Sequence, residues 1–102
     1  MTMQQITERV RAIVGRHGRL LVDVGDLADD DDLYEAGMTS HASVSVMIAL
    51  EDDFGVEFPQ AMLRKATFRS MASMAHVLSG LAAGVPGDGA GSPASLGAVA
   101  PA

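Results

Sequence analysis

The sequence predicts an all-α fold: a small bundle of three main helices and one short helix, with a long loop between the first and the second. Three observations carry that expectation. Apolar residues recur at spacings of three and four in separate stretches, hydroxyl residues stand where the later stretches begin, and the single strand-like run, RLLVDV at 19–24, has no clear second strand to pair with.

Residues 4–16 place Ile6, Val10, Ile13 and Val14 on one face, with Thr7, Glu8, Arg9 and Arg11 on the others, and Gly15 or Gly18 ends the helix. The following RLLVDVGDLADDDDLYEAGM reads as a long ordered loop pinned by Leu20, Leu21, Val24, Leu27 and Leu33. Thr39 or Ser40 caps a second helix running to about Phe54. Its apolar residues lie on two sides. Val46, Met47, Leu50 and Phe54 form a stripe for the core, while His41, Val44 and Ile48 share a second face with no assigned neighbour, unless Val44 packs against the short helix. After GVEFP, residues 60–65 read as a short helical turn, and Thr67 caps a last helix presenting Phe68, Met71, Ala75 and Leu78. From Gly80 the chain turns to glycine, alanine, proline and serine without periodicity. Residues 1–80 are therefore expected to form the domain and 81–102 a disordered tail.

A chain of 102 residues has room for one small core, which argues against a deep substrate cavity. Cysteine is absent, so the chain itself offers no disulfide, thiolate metal site or thiol nucleophile. The 13 acids outnumber the 7 bases and most crowd between Asp23 and Glu57, and the net charge of -6 would repel nucleic acid. A partner with a basic patch suits that field better. With apolar runs too short for a membrane span and acidic and basic residues where a signal peptide needs an apolar core, a cytoplasmic monomer without membrane contact is expected.

The residues give little support to catalysis. The acids at 29–32 and 51–53 read as a solvated surface, and DDDDLYEAGMTS lacks the alternating oxygen ligands and terminal glutamate of a calcium loop. Ser40 and His41 are sequence neighbours, which do not face each other on a helix, and nothing evident orients the imidazole. His17, His41 and His76 are too scattered for a zinc site. Ser40 has two readings: a simple helix cap, or a surface acceptor of a covalently attached group, since first-turn N–H groups would stabilise an attached phosphate.

Residues 33–59, LYEAGMTSHASVSVMIALEDDFGVEFP, resemble the acyl carrier protein family. Ser40 matches the serine that receives 4'-phosphopantetheine in that family, Gly37 the glycine three residues earlier, Leu50, Glu51 and Phe54 the end of the second helix, and Pro59 the proline of the following turn. Thr39 and His41 depart from the family's usual aspartate and leucine on either side of the serine. The variant pattern looks closer to the small free-standing bacterial carriers charged by ligases that are similar to the catalytic part of seryl-tRNA synthetases.

This resemblance implies an acyl-carrier-like bundle that is not an enzyme. Its 4'-phosphopantetheine on Ser40 would hold an aminoacyl group, such as glycyl or alanyl, as a thioester. The implied partners are a phosphopantetheinyl transferase, an amino acid:carrier protein ligase and a downstream acceptor enzyme. Thr39, His41, Val44, Ile48, Glu51 and Asp52 are the residues expected to meet them. Two alternatives remain beside this reading: an acyl or peptidyl carrier of a specialised pathway, and an unmodified helical interaction module. A small cargo has little apolar area to bury, so a tightly filled core is expected, with Val46, Met47, Leu50 and Met71 among its lining residues.

Overall fold

The computed structural model describes residues 1–82, so the expected tail lies outside the described residues. Helix α1 spans Met3–His17, α2 Ser40–Phe54, α3 Lys65–Phe68 and α4 Met71–Ala82, with single 3-10 turns at Val24–Asp26 and Gln60–Met62. Three main helices and one short one form the bundle, as expected. Among the described residues there is no strand, and RLLVDV is part of the long loop.

Helix α1 starts where Thr2 accepts from the Gln5 N–H at 3.1 Å while Gln5 Oε1 accepts from the Thr2 N–H at 2.8 Å, so two otherwise unpaired donors are satisfied. It ends at Gly18, whose N–H reaches the Val14 carbonyl at 2.7 Å, and Gly15 lies within the helix. Ile6, Val10 and Val14 are buried against α4 and α2. Helix α2 begins at a Thr39 cap and stops at Gly55, whose φ of 64° is left-handed. Its core side is Ala42, Ser43, Val46 and Leu50, with Met47 and Phe54 at the margins.

The region after α2 differs from expectation in two ways. The helical turn expected over 60–65 is a 3-10 turn at Gln60–Met62, followed by the separate α3. Thr67 lies buried inside α3, and the cap of α4 is Ser70. The Ser70 hydroxyl accepts from the Ser73 N–H at 3.0 Å, and the Ser73 hydroxyl accepts from the Ser70 N–H at 3.3 Å. This reciprocal pair places the helix start three residues later than a Thr67 cap would.

The core is completed by Met71, Met74, Ala75 and Leu78 of α4, by Phe68 of α3, and by Leu33, Met38 and Phe58 from the connections. The Phe58 and Phe68 rings meet at 5.4 Å between centroids with a 47° tilt. Of the four expected core residues, Val46, Leu50 and Met71 are fully buried, whereas Met47 is only partly so. Leu50→Ala should lower the unfolding free energy by about 2–5 kcal/mol, because the buried cluster around it can close only partly over the lost volume. Urea denaturation monitored by circular dichroism tests this; a loss within error of zero would mean the core relaxes into the space.

Candidate functional site

The site begins with a turn. Asp32 Oδ1 accepts from the Tyr34 N–H at 2.9 Å and the Glu35 N–H at 3.3 Å, opening a helical turn over residues 33–37. The turn closes with the Met38 N–H on the Leu33 carbonyl at 3.0 Å and the Gly37 N–H on the Tyr34 carbonyl at 3.1 Å. This is the Schellman pattern, and the buried pair Leu33 and Met38 supplies its apolar contact. Gly37 has φ 110°, and a Cβ there would lie 2.6 Å from Leu21 Cγ. Glycine is required twice over, by conformation and by space.

The turn is fastened from both sides. The Leu21 N–H reaches the Ala36 carbonyl at 2.9 Å, the Leu33 N–H the Arg69 carbonyl at 2.7 Å, and the Ala72 N–H the Asp29 carbonyl at 2.8 Å. Arg11 clamps the preceding loop, donating to the Val24 and Leu27 carbonyls at 2.5 and 2.9 Å and to Asp29 at 2.6 Å. Of the loop residues expected to act as pins, Leu33 is buried and Leu20, Val24 and Leu27 are half-buried against the core. Leu21 is a correction: its backbone is bonded, but its side chain is 85% exposed, because it lies over the outer surface of the Gly37 turn.

Ser40 follows immediately. Thr39 Oγ1 accepts from the Ala42 N–H at 3.0 Å, so the capping duty falls to Thr39 and the Ser40 side chain is left over. Ser40 is exposed, and its hydroxyl joins no hydrogen bond among the described residues. Its own carbonyl accepts from the Ser43 hydroxyl at 2.7 Å. A free hydroxyl on the first residue of a 15-residue helix is an accessible acceptor, and a phosphate attached there meets the positive end of the helix dipole. The residues present therefore fit a phosphate-linked arm on Ser40.

His41, Val44 and Ile48 are exposed along α2, Val44 at 49% and Ile48 at 52%. Two surface grooves flank them. One, of about 350 Å³, brings Ser40 and Val44 together with Tyr34, Leu63, Lys65 and Phe68. The other, of about 520 Å³, takes in Ile48 and Asp52 with Ile13, Arg16 and His17. Val44 thus borders the short helix while remaining half exposed. Thr39 and Asp52 are exposed, and Glu51 is half-buried with one carboxylate oxygen accepting from the Phe58 N–H at 2.9 Å.

The acids near the site serve several ends. Asp29 pairs with Arg11, Asp31 accepts from the Ala28 N–H at 2.8 Å, and Asp32 opens the turn and lies 3.7 Å from Arg69. Asp53 pairs with Arg9 at 2.8 Å. Among the described residues no group of three or more His, Asp or Glu is arranged to hold a metal ion, and no helix is long and apolar enough to cross a membrane.

Tyr34, Leu63, Arg64, Lys65 and Phe68 were absent from the residues expected to surround Ser40. They reach it through the fold of the connection after α2, which no spacing in the sequence encodes. The available signal was charge, because Arg64 and Lys65 are adjacent bases in an otherwise acidic chain.

Comparison with known proteins agrees with this geometry. The phosphopantetheine attachment site family matches residues 4–75. An aminoacyl carrier protein of Agrobacterium fabrum is 40% identical over 62 residues, which are 61% of this chain and 75% of that protein. A crystal structure of an engineered Bradyrhizobium japonicum glycine:[carrier protein] ligase, complexed with carrier protein from Agrobacterium tumefaciens and ATP, contains a chain that superposes with TM-score 0.70 at 34% identity. The match covers 72% of the present chain and 96% of that one. A solution structure of an Agrobacterium tumefaciens protein matches at TM-score 0.60 and 34% identity, over 72% of this chain and 88% of the other.

Gly37→Ala should destabilise the protein by about 1–3 kcal/mol, the usual range for a side chain forced into a sparsely populated backbone region. Adding Leu21→Ala should recover part of that loss, since it removes the side-chain clash and leaves the Leu21 backbone nitrogen 3.0 Å away and the strained φ. Urea midpoints of the single and double variants decide; equal stability of Gly37→Ala and wild type would show that the turn does not depend on glycine.

Proposed function

The chain belongs to the phosphopantetheine attachment site family, whose members carry a covalent 4'-phosphopantetheine, and on that premise we propose that it is a free-standing aminoacyl carrier with its arm on Ser40. The observation that carries the assignment is the division of labour at the start of α2. Thr39 makes the cap hydrogen bond, leaving Ser40 exposed with an uncommitted hydroxyl. The 40% identity to an aminoacyl carrier protein supports an amino acid over a long acyl chain as cargo.

The chain contributes attachment and recognition, while the transferase and ligase contribute catalysis. In the modification, Ser40 Oγ bonds to the phosphorus that bears the pantetheine of coenzyme A. The pyrophosphate P–O bond breaks, adenosine 3',5'-bisphosphate leaves, and the hydroxyl proton passes to a base outside this chain. The arm brings the thiol that a cysteine-free chain lacks. A ligase first joins the amino acid carboxylate to the α-phosphorus of ATP with loss of pyrophosphate. With the arm on Ser40, its thiol would supply the nucleophile that receives the aminoacyl group as AMP leaves. Tethering keeps the aminoacyl group at raised effective concentration for the next enzyme. A need for coenzyme A and ATP supports a cytoplasmic location.

Partners meet the exposed side of α2. Thr39, His41, Val44 and Ile48 form its face, with Asp52 at the rim and Glu51 holding the following turn through Phe58. A small apolar patch edged by acids favours fast, weak encounters with enzymes that carry Arg or Lys.

Intact-protein mass spectrometry with a promiscuous transferase, coenzyme A and magnesium should show one added phosphopantetheine on wild type and none on Ser40→Ala. A modified Ser40→Ala would move the site elsewhere, and an unmodified wild type beside a modified control carrier would favour an unmodified interaction module. With the holo protein, Ile48→Asp should reduce kcat/KM for loading by a glycine:carrier protein ligase about five- to thirtyfold, mainly through KM, as for truncation of a central contact residue. Unchanged loading would remove Ile48 from the docking face.

A further inference from the structure

The groove beside Ser40 carries charge of a sign unusual for this chain. Three of the bases, Arg9, Arg11 and Arg69, are paired with carboxylates. Arg64 and Lys65 belong to no ion pair among the described residues, and both line the groove that contains Ser40. Lys65 Nζ stands 4.8 Å from the centre of the Tyr34 ring, another groove residue. An aromatic face positions a cation without neutralising it. The rest of the lining is largely apolar, from Val44, Met47, Leu63 and Phe68.

Resting on the carrier reading above, we infer that Arg64 and Lys65 are positioning residues for the phosphodiester on Ser40, and that they lay the arm along this groove when no partner is bound. The diester bears one negative charge, and two uncompensated cations lie in the groove that includes its point of attachment. Beyond them, the dimethyl carbon of the pantoyl unit suits the apolar side chains of Val44 and Leu63. The contact is exposed to solvent and therefore weak, which keeps the arm available to an enzyme while limiting its random sweep.

Holo protein labelled with 13C and 15N, carrying an unlabelled arm confirmed by mass spectrometry, provides the test by isotope-filtered NMR. In wild type, the arm's methyl protons should show NOEs to Tyr34, Val44 and Leu63. In Arg64→Gln/Lys65→Gln these should weaken about two- to fivefold, the range expected for losing exposed ion pairs, and the 31P resonance should move toward that of free phosphopantetheine. Lys65→Arg should retain them, and Arg64→Gln alone should weaken them less than the double variant does. Far-ultraviolet circular dichroism should be unchanged, since both side chains are exposed and neither donates a hydrogen bond.

Three results overturn the inference. Wild-type NOEs are absent, or they remain undiminished in the double variant, or the groove responds only when the ligase is added and so belongs to the partner. In all three the arm is attached and the carrier assignment stands. A wild-type chain that never acquires the arm is distinguishable from these at the mass-spectrometry step, and it removes the carrier assignment and this inference together.

Discussion

The turn from Leu33 to Met38 is the constraint on which the functional end of the molecule depends. Its closing hydrogen bonds, from Met38 to Leu33 and from Gly37 to Tyr34, reverse the chain within a few residues. Both ends of the reversal are held by buried side chains, Leu33 and Met38. Thr39 is thereby delivered in extended geometry, with φ -86° and ψ 165°, as a cap residue requires. The position of Ser40 and the direction of α2 follow from that delivery.

Charge is spent in two ways along this surface. Arg11 binds two carbonyls and one carboxylate, so a single guanidinium holds a loop that has little regular structure of its own. Asp31, Asp32 and Glu51 accept from backbone N–H groups and thereby replace hydrogen bonds that a sheet or longer helix would have made. Much of the acidic character therefore serves folding and recognition at once. Asp30 and Asp52, exposed and with no ion pair among the described residues, contribute chiefly to the outward field.

What could be read in the sequence was whatever repeats with a period or matches a local pattern. The buried face of α1, Val46 and Leu50 of α2 and the exposed row His41, Val44 and Ile48 all follow from helical spacing, whereas Ala42 and Ser43 complete the core side of α2 and Met47 and Phe54 stay at its margins. The Ser40 motif could be read from its fixed distances to Gly37 and Pro59. The failures lie where contacts join distant residues. Leu21 looked like a pin because it is leucine, yet only its backbone is held. Thr67 looked like a cap because it is a hydroxyl residue, but Ser70 competes three residues later with a reciprocal partner in Ser73. The groove around Ser40 depends on where α3 comes to rest beside α2, and periodicity within either helix carries no record of it.

The bonds from Leu33 to Arg69 and from Ala72 to Asp29 tie the turn before Ser40 to the last part of the described chain. Such contacts close a long loop and carry its entropy, so they form only when the α3–α4 junction is in place. The direction in which Ser40 is presented consequently depends on where α4 is docked as well as on the turn itself. The two ends of the described domain are thus one mechanical unit: a displaced α4 would shift the start of α2 with it.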